Sequence, residues 1–152
     1  MRFGVKADLL HCLDSNPSEH NHAPVTDVIV IDGAAVVQML NPGTSKTFQE
    51  YSDTVFSPYI STLLKNTARI DLVWDVYLSN SLKGTTRLKR GKGTRRGVAS
   101  SALIPKNWKD FLLVDENKAE LFGFISRKST RGPLENDEEL YATCGTDVLC
   151  VP

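Results

Sequence analysis

The sequence predicts an α/β fold, a three-layer α/β/α sandwich around a mostly parallel central sheet. Val28-Ile29-Val30-Ile31-Asp32 is an unbroken β-branched run that ends in a carboxylate, and Gly33 follows it. Ile70-Asp71-Leu72-Val73-Trp74-Asp75-Val76 repeats the pattern, with a carboxylate near its end. Between the two runs lies an apolar stripe at helical spacing. A strand, a helical crossover and a second strand of one sheet close in the right-handed sense and run parallel. The order β, α, α, β, helices, β then implies a sheet covered by helical layers.

Residues Met1 to Pro24 show no period and form an irregular N-terminal segment; Leu9, Leu10 and Leu13 suit one helical turn. His11, His20 and His22 fall here, and His20-x-His22 reads as a solvated loop because no carboxylate or cysteine partners it. Asp27 to Asp32 reads as a central strand buried on both faces, because its apolar run does not alternate. Gly33-Ala34-Ala35 lets the chain turn into a helix whose Val36, Val37 and Leu40 face the sheet, and Asn41-Pro42-Gly43 ends it.

Thr47-Phe48-Gln49-Glu50 has the form of a capping box. The stripe Phe48, Tyr51, Val55, Phe56, Tyr59, Ile60, Leu63, Leu64 follows, and Pro58 inside it predicts a kink or a junction of two helices. Arg69 to Tyr77 is the second strand. Ser81 to Ala99 has the charges of a helix, but four glycines oppose one at about 1 kcal/mol each relative to alanine. Pro105 to Leu112 predicts a short helix anchored by Trp108. Asp115 is placed to cap a further helix with Ala119, Phe122 and Ile125 inward. Ser129 to Glu138 reads as a polar loop. Leu140 to Thr143 and Val148 to Val151 read as short strands about Gly145-Thr146.

Composition is that of an ordinary globular domain, with 41% hydrophobic and 24% charged residues. The zero net charge hides an asymmetry: no acid lies between Asp75 and Asp110, a stretch that holds half of all lysine and arginine. Such a basic island binds polyanions even in a neutral chain. Three cysteines, Cys12, Cys144 and Cys150, fit neither a zinc site nor a disulfide framework, which points to a reducing intracellular compartment, nuclear or cytoplasmic. No apolar run reaches membrane-spanning length, so no membrane partner is expected.

Parallel strands place Asp32 and Asp75 at one carboxyl edge, where ligands of such sheets bind. Mg²⁺ and Mn²⁺ are hard cations that prefer carboxylate oxygen, and pairs of such ions stabilise attacking and leaving oxygens in phosphodiester hydrolysis. Each carboxylate also has a plain structural use: Asp32 suits a helix N-cap and Asp75 a strand-end ion pair. Asp71 is expected to point away from this site. Lys83, Arg87, Lys89, Arg90, Lys92, Arg95 and Arg96 form the candidate nucleic-acid contact, and interleaved glycines let backbone approach a phosphate chain. A solvated loop or a localisation signal has the same composition. The run contains no aromatic residue for base stacking.

Val-Ile-Val-Ile-Asp32-Gly, a helical pair, then Leu-Val-Trp-Asp75-Val-Tyr and Ser-Leu-Lys-Gly-Thr-Thr-Arg-Leu-Lys-Arg together resemble the PIN-like nuclease superfamily, in particular its flap-endonuclease-like branch. The resemblance covers Val25 to Pro152 and implies a PIN-like domain with a Mg²⁺ or Mn²⁺ site. It implies Asp32 as first acidic ligand and Asp75 as second. It also implies further acids on a later helix and after a later strand, which this chain does not show. The expectation is therefore the N-terminal portion of a PIN-like domain, weak or inactive as a nuclease in this chain. A non-catalytic module that holds nucleic acid or an acidic partner through residues 83–96 is the alternative. A third possibility is a fragment that dimerises or aggregates through an unpaired sheet edge.

Overall fold

The computed structural model describes residues 26–76, 93–132, 134 and 138–151. The N-terminal segment with its histidines, the basic residues Lys83, Arg87, Lys89, Arg90 and Lys92, and residues 135–137 lie outside that set.

Four strands form one sheet in the order β1 (Val28–Asp32), β2 (Arg69–Val73), β3 (Glu139–Cys144), β4 (Asp147–Val151). The first three run parallel and β4 returns antiparallel, so the α/β class and the mostly parallel sheet are as the sequence predicts. Register aligns Ile29 with Ile70 and Leu140, and Ile31 with Leu72 and Ala142. That row faces the core. The alternate row, with Val28, Val30, Arg69, Asp71, Val73 and Tyr141, faces outward. The buried apolar helical side chains join one cluster with the inward row. Among the described residues the sheet is thus covered on one face, and a second helical layer is not seen.

The position of β1 differs from expectation. It is not a central strand buried on both faces: among the described residues it is the sheet edge, and Val30 keeps 68% of its surface exposed. A continuous β-branched run suits any pleated surface, and only long-range pairing decides whether a neighbour covers it.

Helix α1 (Gly33–Met39) starts where β1 ends. Asp32 caps it by accepting a hydrogen bond from the Ala35 N–H at 3.2 Å. Gly33 is required by packing. A Cβ at this position would lie 2.4 Å from Cε3 of Trp74. The indole itself is held by near-parallel stacking on Phe122, 4.3 Å between centroids, and by Phe56 on another side.

The capping box forms with one change. The Glu50 N–H donates to Thr47 Oγ1 at 3.1 Å, while the Glu50 carboxylate accepts from the Lys46 N–H at 2.7 Å. Helix α2 (Phe48–Tyr51) then passes through a π turn (Ser52–Phe56) into α3 (Ser57–Leu64). Pro58 sits in the first turn of α3, where its missing N–H is tolerated. The Ser57 N–H reaches five residues back to the Ser52 carbonyl, which widens the helix just before the proline ring. The junction predicted at Pro58 is therefore a π turn in a continuous helical path.

Helix α4 (Trp108–Phe111) carries the expected anchor. Trp108 is buried and its indole N–H donates to the Val37 carbonyl at 3.3 Å. Helix α5 (Asp115–Ser129) is capped by the backbone position of Val114 rather than by Asp115. Asp115 lies inside the first turn, where its charge favours the helix dipole, and it pairs with Lys118 at 2.7 Å. Gly145, at φ 64°, turns the β3–β4 hairpin.

Gly33→Ala gains roughly 1 kcal/mol of helix propensity. It collides with an indole that cannot retreat, an overpacking cost of about 1–3 kcal/mol. Net destabilisation is expected as a lower denaturant midpoint at unchanged slope.

Candidate functional site

Asp32 and Asp75 both lie at carboxyl ends of adjacent parallel strands. Asp32 pairs in register with Val73, and Asp75 follows two residues later, about 7 Å of extended chain. Both are exposed. One oxygen of Asp32 is committed to the Ala35 N–H. Asp75 lines a pocket of about 180 Å³ beyond the ends of β2 and β3, floored by Trp74 and Phe122 and rimmed by Cys144 and Gly145. Asp32 does not line it.

Carboxylate oxygen is the donor a hard cation prefers, but only one of the two carboxylates lines this pocket. Among the described residues no group of three His, Cys, Asp or Glu side chains converges. The residues present suit at most one weakly held Mg²⁺ or Mn²⁺ ion, and they do not supply the ligands of a two-ion centre. Asp71 is turned away from the edge, as expected, and is bound to Arg69 at 2.7 Å.

The end of β2 is locked by a buried polar chain. The Trp74 N–H donates to Thr143 Oγ1 at 2.9 Å, and its indole N–H donates to Ser126 Oγ at 2.7 Å. Ser126 in turn donates to the Thr143 carbonyl at 2.8 Å. One α5 hydroxyl thereby holds two strand ends. Arg127, on the next position, donates to Cys144 Sγ at 3.4 Å.

Arg95 and Arg96, the two described members of the basic run, have different surroundings. Arg95 forms an ion pair with Glu120 and donates to Asn117 Oδ1 at 3.1 Å. Its charge is already engaged. Asn117 is fully buried and serves as a hub. Its Oδ1 accepts from the Arg96 N–H at 2.8 Å, and its Nδ2 donates to the carbonyls of Thr94 and Phe111. Glu120 accepts from the Val98 N–H at 2.9 Å. That bond first, and the Arg95 guanidinium second, hold its carboxyl below the usual range. The chain leaving the basic run is thus fastened to α5. Composition alone marks neither Asn117 nor Glu120, since both read as surface residues of a charged helix.

The Arg96 side chain opens onto a groove of about 400 Å³ with Lys106 on its wall, Ile104, Pro105 and Phe111 as apolar lining, and Asp110 as its acid. Neither Arg96 nor Lys106 joins an ion pair among the described residues. Lys106 lies outside the run singled out from sequence, and the fold brings it beside Arg96. No described helix is long and apolar enough to cross a membrane.

Asn117→Ala strands two carbonyls and one N–H, and is expected to cost about 2–3 kcal/mol in chemical denaturation. Glu120 titrates lower folded than unfolded. Its contribution is complete above its unfolded value, about 4.3, and is lost as pH falls through the folded value. Glu120→Gln should flatten the acid side of the stability–pH curve and leave its neutral slope unchanged. Comparison of the chain with protein-family models, with curated proteins and with solved structures finds no match.

Proposed function

We propose that this chain is a nucleic-acid-binding domain of PIN-like nuclease type, acting inside the cell and holding its polyanion without efficient cleavage. The observation that supports this best is the Arg96–Lys106 groove at the end of the basic run. Both cations line the groove, and among the described residues neither joins an ion pair with a carboxylate. The run itself contributes Lys83, Arg87, Lys89, Arg90 and Lys92, which precede the groove in the chain. Each phosphate neutralised releases condensed counterions, so affinity falls with salt. The Asn117 hub favours this role, because it fixes residues 94–96, at the end of the basic run, against α5.

Binding to single-stranded and duplex DNA and RNA is read by fluorescence anisotropy across a salt series. Arg96→Ala with Lys106→Ala should weaken binding for every sequence and reduce the log–log salt slope by about 2. Binding that ignores salt, or that the double variant leaves unchanged, would overturn the proposal. Arg95→Ala should act mainly through stability, since Glu120 already holds that guanidinium.

A second reading, a Mg²⁺- or Mn²⁺-dependent phosphodiesterase, is favoured by the placement of Asp32 and Asp75 at neighbouring strand ends. It requires Mn²⁺-dependent cleavage of flap, single-stranded or duplex substrates that both Asp32→Asn and Asp75→Asn abolish. Binding without cleavage leaves the first reading standing and removes the second.

A further inference from the structure

Leu103 is the most exposed large apolar side chain among the described residues, at 71%. Its backbone is nonetheless fixed. Leu103 bridges to Thr47, the Phe48 N–H donates to the Ala102 carbonyl at 3.2 Å, and the Ile104 N–H donates to the Lys46 carbonyl at 2.9 Å. The leucine is therefore held in the wall of the groove that Arg96 and Lys106 also line. The chain that carries Arg96 is fixed as well. Gly93 lies so close to the Asp110 carbonyl that no Cβ fits, and the Asn117 amide holds Thr94 and Arg96. The same groove contains an acid. Asp110 Oδ2 accepts from Asn107 Nδ2 at 2.5 Å, and no donor among the described residues reaches Oδ1. Asp110 forms no ion pair with Arg96 or Lys106, so the acid and the two cations stand apart on the lining.

Resting on the reading of this groove as a nucleic-acid site, we propose that it seats one unpaired nucleotide whose base carries an exocyclic amino group. The phosphate lies at Arg96 and Lys106, the base on Leu103, and the amino group on Asp110 Oδ1. The lining selects this occupant. A bare phosphate or an acidic peptide needs only the cations, and the carboxylate repels it. A duplex offers its phosphates but keeps its base faces stacked, out of reach of Leu103, whereas unpaired bases splay out and lay their faces on side chains. The volume of about 400 Å³ falls among sites that take one small ligand, roughly 300–1,000 Å³. An ionised carboxylate only accepts hydrogen bonds. The N4 amino group of cytosine donates to one. Uracil has a carbonyl oxygen in that place, which the carboxylate repels, and its N3–H lies between two such oxygens. Asp110 therefore discriminates between bases, which the cations cannot do, because phosphate contacts carry no sequence information.

The test is fluorescence anisotropy on the full chain with single-stranded oligo(dC) and oligo(dU), whose bases differ only at ring positions 3 and 4, and with a duplex of equal length. The chain should bind oligo(dC) about fivefold or more tighter than oligo(dU), the scale of one hydrogen bond to a charged acceptor. The duplex should bind more weakly than oligo(dC). Asp110→Asn keeps the shape of the side chain, and its amide donates to the uracil oxygen, so the dC to dU preference should vanish or reverse. Leu103→Ser should weaken both single strands by about threefold or more, since the base loses an apolar contact, and leave duplex binding unchanged. The Leu103 side chain is exposed, so circular dichroism should not change. If Arg96→Ala with Lys106→Ala abolishes binding while oligo(dC) and oligo(dU) bind alike, the groove stays a polyanion site and this inference is overturned. If that double variant changes nothing, both readings fall. An oligoglutamate that displaces oligo(dC) at equal charge concentration overturns the choice of occupant.

Discussion

The indole of Trp74 is the contact on which the rest of the molecule depends. It fills the space above Gly33, stacks on Phe122 of α5 and leans on Phe56 of the π turn. Its N–H donates to Ser126 on α5, and the backbone N–H of the same residue donates to Thr143 on β3. One residue at the end of β2 therefore touches the start of α1, the middle of the long helical path, α5 and the neighbouring strand. Aromatic pairs and satisfied buried polar groups reinforce each other here: the stacking dries the site, and drying strengthens the hydrogen bonds. The carboxyl edge of the sheet is rigid because this cluster lies directly beneath it.

That rigidity bears on both carboxylates. Asp75 follows Trp74 immediately, so its backbone inherits the lock. Asp32 precedes Gly33, whose approach to the indole sets the first turn of α1. The Asp32 cap and the Trp74 packing are thus parts of one arrangement, and an acid at position 32 has a structural use whether or not a cation ever binds. The same logic separates Arg95 from Arg96. Adjacent in sequence and alike in charge, one is spent on Glu120 and Asn117 while the other faces an open groove.

Much of the fold was legible because its signals are local. The strand runs, the Thr47 cap, the Trp108 anchor and the hairpin about Gly145 each follow from a few neighbouring residues. What escaped depends on distant partners. Val28 to Asp32 has the same residues whether it sits in the middle of a sheet or at its edge, and only the pairing order β1-β2-β3-β4 tells. Asn117 reads as an ordinary polar helix residue until residues 94–98 are laid against it. Asp115 missed the cap by one position because Val114, which has no polar side chain to offer, supplies the right backbone angles instead. Of the candidate site, the strand-end positions of Asp32 and Asp75 were readable, but Lys106 was not, since it comes to line the same groove as Arg96 only through the fold.

The π turn turns chain length into a phase angle. Ser52, Phe56, Ile60 and Leu64 are buried at intervals of four, and in a uniform α-helix each step of four drifts by about 40° around the axis. Over the whole path that drift would carry the last buried residues off the core-facing side. The wider turn at Ser52–Phe56 absorbs part of it and keeps one stripe against the sheet. Removing or adding a single residue between Thr47 and Pro58 is therefore not a local change. It rotates everything downstream, so this helix tolerates a changed side chain on its exposed face more readily than a changed length.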